Sequence, residues 1–189
     1  MQVVRKTLGL VMLASLVVGA TGVELAGASP TATTATAATA SLTRAQKKSI
    51  AITIEYGPSG TWTKYHNRYP STFNWTNDGC SVPGFWLALL SPAGYALVKH
   101  YSGVFHSPCV YHDFGYRNFG SKRPASGPYL HLDPTSARRK SIDDKFHSRM
   151  DSTCNSKYGS LDPRRYACRE ASDLFYGAVR ARGSGSFFA

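Results

Sequence analysis

The stretch Ser107-Pro108-Cys109-Val110-Tyr111-His112-Asp113-Phe114-Gly115-Tyr116-Arg117-Asn118 decides how the chain folds around its chemistry. Ser107 can cap a helix through its hydroxyl. Pro108 at the first helical position gives up an N–H that has no intrahelical partner anyway. A helix here puts Cys109 and Asp113, four residues apart, on one face. His112 and Asp113 are neighbours, so their side chains leave the axis about 100° apart and serve two adjoining positions. An imidazole suits general-base work near neutral pH, and a carboxylate suits a cation.

Outward from this helix, the four cysteines are Cys80, Cys109, Cys154 and Cys168. An even count in an exported chain reads as two disulfides, and four cysteines allow three connectivities. One of the three joins Cys154 to Cys168 across a local loop and Cys80 to Cys109 across a longer one. A tetrahedral zinc site is the rival use, but no CxxC pair is present. If Cys80 is bonded to Cys109, their Cα atoms lie about 5.5–6 Å apart. Asp78, two residues before Cys80, is then drawn towards Asp113. Carboxylates brought together repel unless a cation lies between them, and outside a cell the natural one is a hard, oxygen-ligated ion such as Ca²⁺. Gly79 lets the chain turn tightly there.

Asp133-Pro134 and Asp162-Pro163 repeat the cap-plus-proline signal. After the first, Ile142, Phe146 and Met150 recur every four residues. After the second, Ala167, Ala171, Leu174 and Ala178 recur at helical spacing beside Phe175 and Val179, with Gly183 as a stop. Residues 43–56 read as helix, or as strand from the alternation of Ile50, Ile52 and Ile54. Residues 61–75 read as helix and turn. The long apolar stretch 84–105, between Cys80 and Cys109, reads as a lipid-facing lid or acyl channel, or as core. With no repeat and no βαβ pattern, the class is mainly α.

The ends read differently. Arg5 and Lys6 precede the apolar run Leu8–Ala20, and Ala26-Gly27-Ala28 follows it, which predicts a signal peptide over 1–28. The run is short of the roughly 20 apolar residues that span a bilayer. Residues 29–41 are a low-complexity linker or pro-segment. The folded domain is expected over 42–183, and 184–189 as a flexible tail on which Phe187 and Phe188 could still dock. With 189 residues, 42% of them hydrophobic, the chain supports one domain with a real core, which excludes wholesale disorder.

Cys109 followed by His112-Asp113-Phe114-Gly115-Tyr116-Arg117-Asn118 resembles the signature of the secreted bacterial and fungal phospholipase A2 family. Asp78-Gly79-Cys80 resembles that family's calcium loop, and Lys140-Ser141-Ile142-Asp143-Asp144-Lys145-Phe146 its later helix. The resemblance covers roughly residues 73–179. It implies a small disulfide-stapled helical domain, with two long antiparallel helices carrying the active site. It implies His112 as general base, Asp143 as its orienting carboxylate, and Asp78, Gly79 and Asp113 as Ca²⁺ ligands. It also implies hydrolysis of the sn-2 ester of glycerophospholipids to a lysophospholipid and a fatty acid. Two carboxylates alone imply weak Ca²⁺ binding, on the order of 10⁻⁴–10⁻³ M. Asp144 is the alternative orienter, and Tyr116, one turn after His112 on the same face, reads as packing or as lining the pocket, with packing expected.

The formal net charge of +11 suits a phospholipid membrane or micelle surface, most naturally an anionic one. Arg138-Arg139-Lys140 reads as a solvated face, or as an attractor of anionic headgroups. Basic charge also suits nucleic acid, but no nucleic-acid motif accompanies it, so no such partner is expected and a secreted nuclease is the weaker rival. The stronger rival is a catalytically idle cationic membrane-binding or antimicrobial protein on the same scaffold. A secreted monomer is expected.

Overall fold

The computed structural model describes residues 41–81 and 90–188. The expected signal peptide, the low-complexity segment up to residue 40 and the first part of the apolar stretch, up to residue 89, lie outside the described residues. Among the described residues every regular element is a helix, as the mainly α class requires.

Helix α1 spans Arg44–Tyr56. The Thr43 hydroxyl accepts from the Gln46 N–H at 3.2 Å, while the Gln46 side chain accepts from the Thr43 N–H at 2.8 Å. This reciprocal cap fixes the start of a helix where isoleucine alternation alone favours strand. Helix α2 spans Thr61–Arg68, and α3 spans Pro92–Tyr101 with Ser91 as its cap and Pro92 in its first turn. The helix of the signature, α4, spans His106–Phe119. Its cap position falls two residues before the expected Ser107. Phe105 is the flanking residue; it is fully buried, and its own N–H donates to the Tyr101 carbonyl, so α3 runs almost directly into α4.

Helix α5 spans Ser136–Lys157, capped by Thr135 rather than Asp133. The Asp133 carboxylate is taken up by Lys48 and Arg138 instead. Helix α6 spans Pro163–Arg182, with Asp162 as cap and Gly183 as stop, as expected. The expected flexible tail is corrected: α7 spans Ser184–Phe187, and Phe187 is fully buried against Tyr116. Its carbonyl accepts from the N–H groups of Ser121 and Lys122 at 2.8 and 3.1 Å. An apolar side chain with two backbone partners beside it has reason to dock rather than fray.

The three long helices run alternately up and down. Along α4, Tyr111, His112 and Phe119 meet Arg149, Asp143 and Arg138 in reverse order. Along α5, Cys154, His147 and Asp144 meet Cys168, Asp173 and Tyr176 of α6, again in reverse. Two apolar clusters flank this arrangement. One gathers Val98, Phe105, Phe146, Met150, Ala171 and Phe175 between α3, α4, α5 and α6. The other gathers Ala51, Ile54, Phe73, Phe114, Ile142 and Phe187 beneath α1 and the C-terminal turn. Helix α4 supplies residues to both, so it is apolar on more than one side and buried along most of its length. No helix among the described residues is long and apolar enough to cross a membrane.

Candidate active site

Helix α4 presents two adjacent stripes to one cavity of about 440 Å³. Cys109, Asp113 and Arg117 recur every four residues on the first, and all three reach the turn at 78–80. Cys109 is disulfide-bonded to Cys80, with Cα atoms 5.2 Å apart. Asp113 Oδ2 accepts from the Asp78 N–H at 2.9 Å. The Arg117 guanidinium pairs with the Asp78 carboxylate. Gly79, at φ +64°, takes the left-handed conformation that lets the chain reverse between them.

A second clamp holds the approach to this turn. Asn118, the last residue of the signature, is fully buried. Its Oδ1 accepts from the Asn74 N–H at 2.8 Å, and its Nδ2 donates to the Asn74 carbonyl at 2.8 Å. Asn74 in turn donates to the Ser126 carbonyl. One side chain therefore satisfies both polar groups of a buried backbone unit that has no strand to pair with.

The second stripe carries His112 and Tyr116. His112 Nε2 lies 3.0 Å from Asp143 Oδ1, and the same oxygen accepts from Tyr116 Oη at 2.7 Å. Asp143 Oδ2 accepts from Arg180 Nη1 at 2.7 Å, and Arg139 Nη1 lies 3.9 Å from the same oxygen. Burial alone would raise the Asp143 carboxyl. The hydrogen bond and attraction of His112, then the bonds from Tyr116 and Arg180, outweigh it and hold Asp143 below the usual carboxylate range. Burial and the Asp143 carboxylate push the Tyr116 phenol up, so it stays a donor. With Nε2 fixed, His112 has Nδ1 left to exchange a proton in the cavity it lines. Asp144 points elsewhere, to Lys140 and Tyr176.

Asp113 differs from Asp143. Burial first, and the Asp78 carboxylate second, push it up to about 7. Among the described residues no three His, Cys, Asp or Glu side chains converge as a metal cluster. The donors at this corner are two carboxylates and the backbone of the 78–80 turn, all oxygen, with Arg117 already placed as a counter-charge. That set fits a hard cation completed by carbonyls and water and does not fit zinc.

Residues 56–183 match the family described as prokaryotic phospholipase A2. The chain belongs to this family. A relative, the secretory phospholipase A2 of Arthroderma benhamiae, is 27% identical over 116 residues, 61% of this chain and 64% of the relative, so the match spans less than two thirds of the relative's length. In this phospholipase A2 family member the turn at 78–80 lies against Asp113 and the carboxylate of Asp143 against His112. Sequence reasoning missed Tyr116 as a donor to Asp143; it lines the cavity as well as packing. It also missed Arg180, Arg139 and Asn118. Only the i+4 position of Tyr116 from His112 was a usable signal for any of them.

Proposed function

We propose that the protein is a secreted, calcium-dependent phospholipase A2 that cleaves the sn-2 ester of glycerophospholipids at a lipid surface, releasing a fatty acid and a lysophospholipid. The observation that carries this reading is the juxtaposition in one cavity of His112, fixed by Asp143, with the oxygen-bearing turn at 78–80. Family membership and the name of the relative support the ester chemistry. The pattern of residues 1–28 supports export.

Asp78, Asp113 and the Gly79 carbonyl would hold Ca²⁺, which when bound acts as a Lewis acid towards the ester and its phosphate. The chain's own groups do the rest. His112 Nδ1 takes a proton from the water that attacks the sn-2 carbonyl, and returns it to the departing glycerol oxygen. Asp143 keeps the other ring proton on Nε2 and steadies the imidazolium as it forms. Tyr116 and Arg180 keep Asp143 in that pose. Phe146, Phe175, Ala178 and Val179 give the cavity an apolar wall suited to an acyl chain.

The test is mass spectrometry of phospholipids with distinguishable acyl chains, incubated with the protein with and without Ca²⁺. Release of the sn-2 acid only with Ca²⁺ is expected. Undiminished release in excess chelator would overturn the calcium assignment. Absence of any lysophospholipid would favour the idle cationic protein instead.

A further inference from the structure

Several basic residues of this chain are paired with carboxylates. Arg138 pairs with Asp133, Lys140 with Asp144, Arg117 with Asp78, and Arg180 with Asp143. The run at 138–140 is therefore not the free positive face its sequence suggests. Lys122 and Arg123 differ. Both are exposed, both line the cavity that holds His112, and neither has a carboxylate within ion-pair distance among the described residues. Lys122 Nζ donates to the Gly185 carbonyl at 2.9 Å, and Arg123 lies over the Tyr129 ring at 5.9 Å. A carbonyl and a ring face orient a cation without cancelling its charge.

The loop that bears them is fixed from several sides. Ser121 and Lys122 donate their N–H groups to the Phe187 carbonyl, and Tyr129 Oη donates to the Ser121 carbonyl at 2.8 Å. At Gly120 the same carbonyl comes so close that a Cβ would lie 2.5 Å from it. Two uncompensated charges are thus held ready on one wall, while α5 and α6 supply the apolar residues of the same cavity. Preorganised charges bind an anion with little ordering cost.

We propose that Lys122 and Arg123 form a headgroup subsite that selects glycerophospholipids of net negative charge, such as phosphatidylglycerol, over zwitterionic ones. The inference rests on the phospholipase reading above and adds a substrate class to it. A choline or ethanolamine ammonium would meet like charge at this wall, whereas an anionic lipid offers it no cation.

The experiment uses short-chain lipids below their micelle concentration, so that attraction to a charged surface plays no part. Hydrolysis of dihexanoyl phosphatidylglycerol and dihexanoyl phosphatidylcholine is measured with Ca²⁺ for the wild type, for Lys122→Gln/Arg123→Gln, and for Lys64→Gln/Lys157→Gln, which loses equal charge from exposed positions outside the cavity. The wild type is expected to favour phosphatidylglycerol in kcat/KM. The first double variant should lose about tenfold of that preference, mainly through KM, as befits one or two charged hydrogen bonds. The second should retain it. Arg123→Gln alone, which loses only a ring contact, covers the case in which the double variant does not fold. No preference in the wild type, an equal fall on both lipids, or an equal loss in the control variant would each overturn the subsite. Cleavage of neither lipid by the wild type would instead overturn the phospholipase reading itself.

Discussion

Asp143 has three close partners, His112, Tyr116 and Arg180, and the first two make different forecasts. His112→Ala should lower kcat by about 10²–10⁴-fold if His112 is the base, as single-turnover hydrolysis would read; near-normal turnover would remove it from the mechanism. Tyr116→Phe deletes one buried hydrogen bond and should lower stability by about 1 kcal/mol in a urea melt. The depressed Asp143 carboxyl also fixes a sign with pH. Its stabilising effect is complete above the ordinary carboxylate range and fades as pH falls through its lower folded-state value. Stability of the wild type measured from pH 5 downward should therefore fall more steeply than that of Asp143→Asn. The neutral variant should be weaker near pH 7, by about 1–3 kcal/mol, because it leaves Arg180 without its counter-charge and gives His112 and Tyr116 a weaker acceptor. The adjacency of His112 and Asp113 and the i+4 step to Cys109 were legible in the sequence, because a helix converts spacing into direction. Arg180 was not: it lies on another helix, and only the packing of α6 against α5 brings it to Asp143.

At the scale of elements, the close seat of α4 on α1 and α5 is set by Gly115. A Cβ there would lie 2.9 Å from both Glu55 Oε2 and Ile142 Cγ2. Gly115→Ala should destabilise the fold by about 1–3 kcal/mol through overpacking. Glu55 itself is fully buried on α1, 4.0 Å from Arg149, and burial raises its carboxyl well above the ordinary value. An acid raised on folding binds its proton more tightly in the native state. Stability therefore declines as pH rises from the ordinary carboxylate range towards the raised value, and Glu55→Gln should flatten that part of the curve in denaturant melts. The cap of α6 was legible because Asp162 and Pro163 act within one turn. The starts of α4 and α5 were not, because Phe105 and Asp133 are committed to distant partners that a local rule does not see. The docking of Phe187 was equally hidden, since its hydrogen-bond donors lie at residues 121 and 122.

For the molecule as a whole, the two disulfides divide the labour. Cys154–Cys168 joins α5 to α6 over a separation of 14 residues, away from the cavity lining. Replacing both cysteines by alanine should cost about 3 kcal/mol of stability, seen as a lower melting temperature, with hydrolysis retained below it. Cys80–Cys109 ties the turn at 78–80 to the helix of His112. Without it, the Asn118 clamp, the Asp78 N–H contact to Asp113 and the Arg117–Asp78 ion pair are left to keep that turn in place. Thiols at 80 and 109 persist in a reducing cytoplasm, where such bonds rarely form. On the proposed function, a newly made chain would thus meet the producing cell's own bilayer with the corner assigned to the ion less firmly latched, and would gain its full reach for lipid after crossing to the oxidising side.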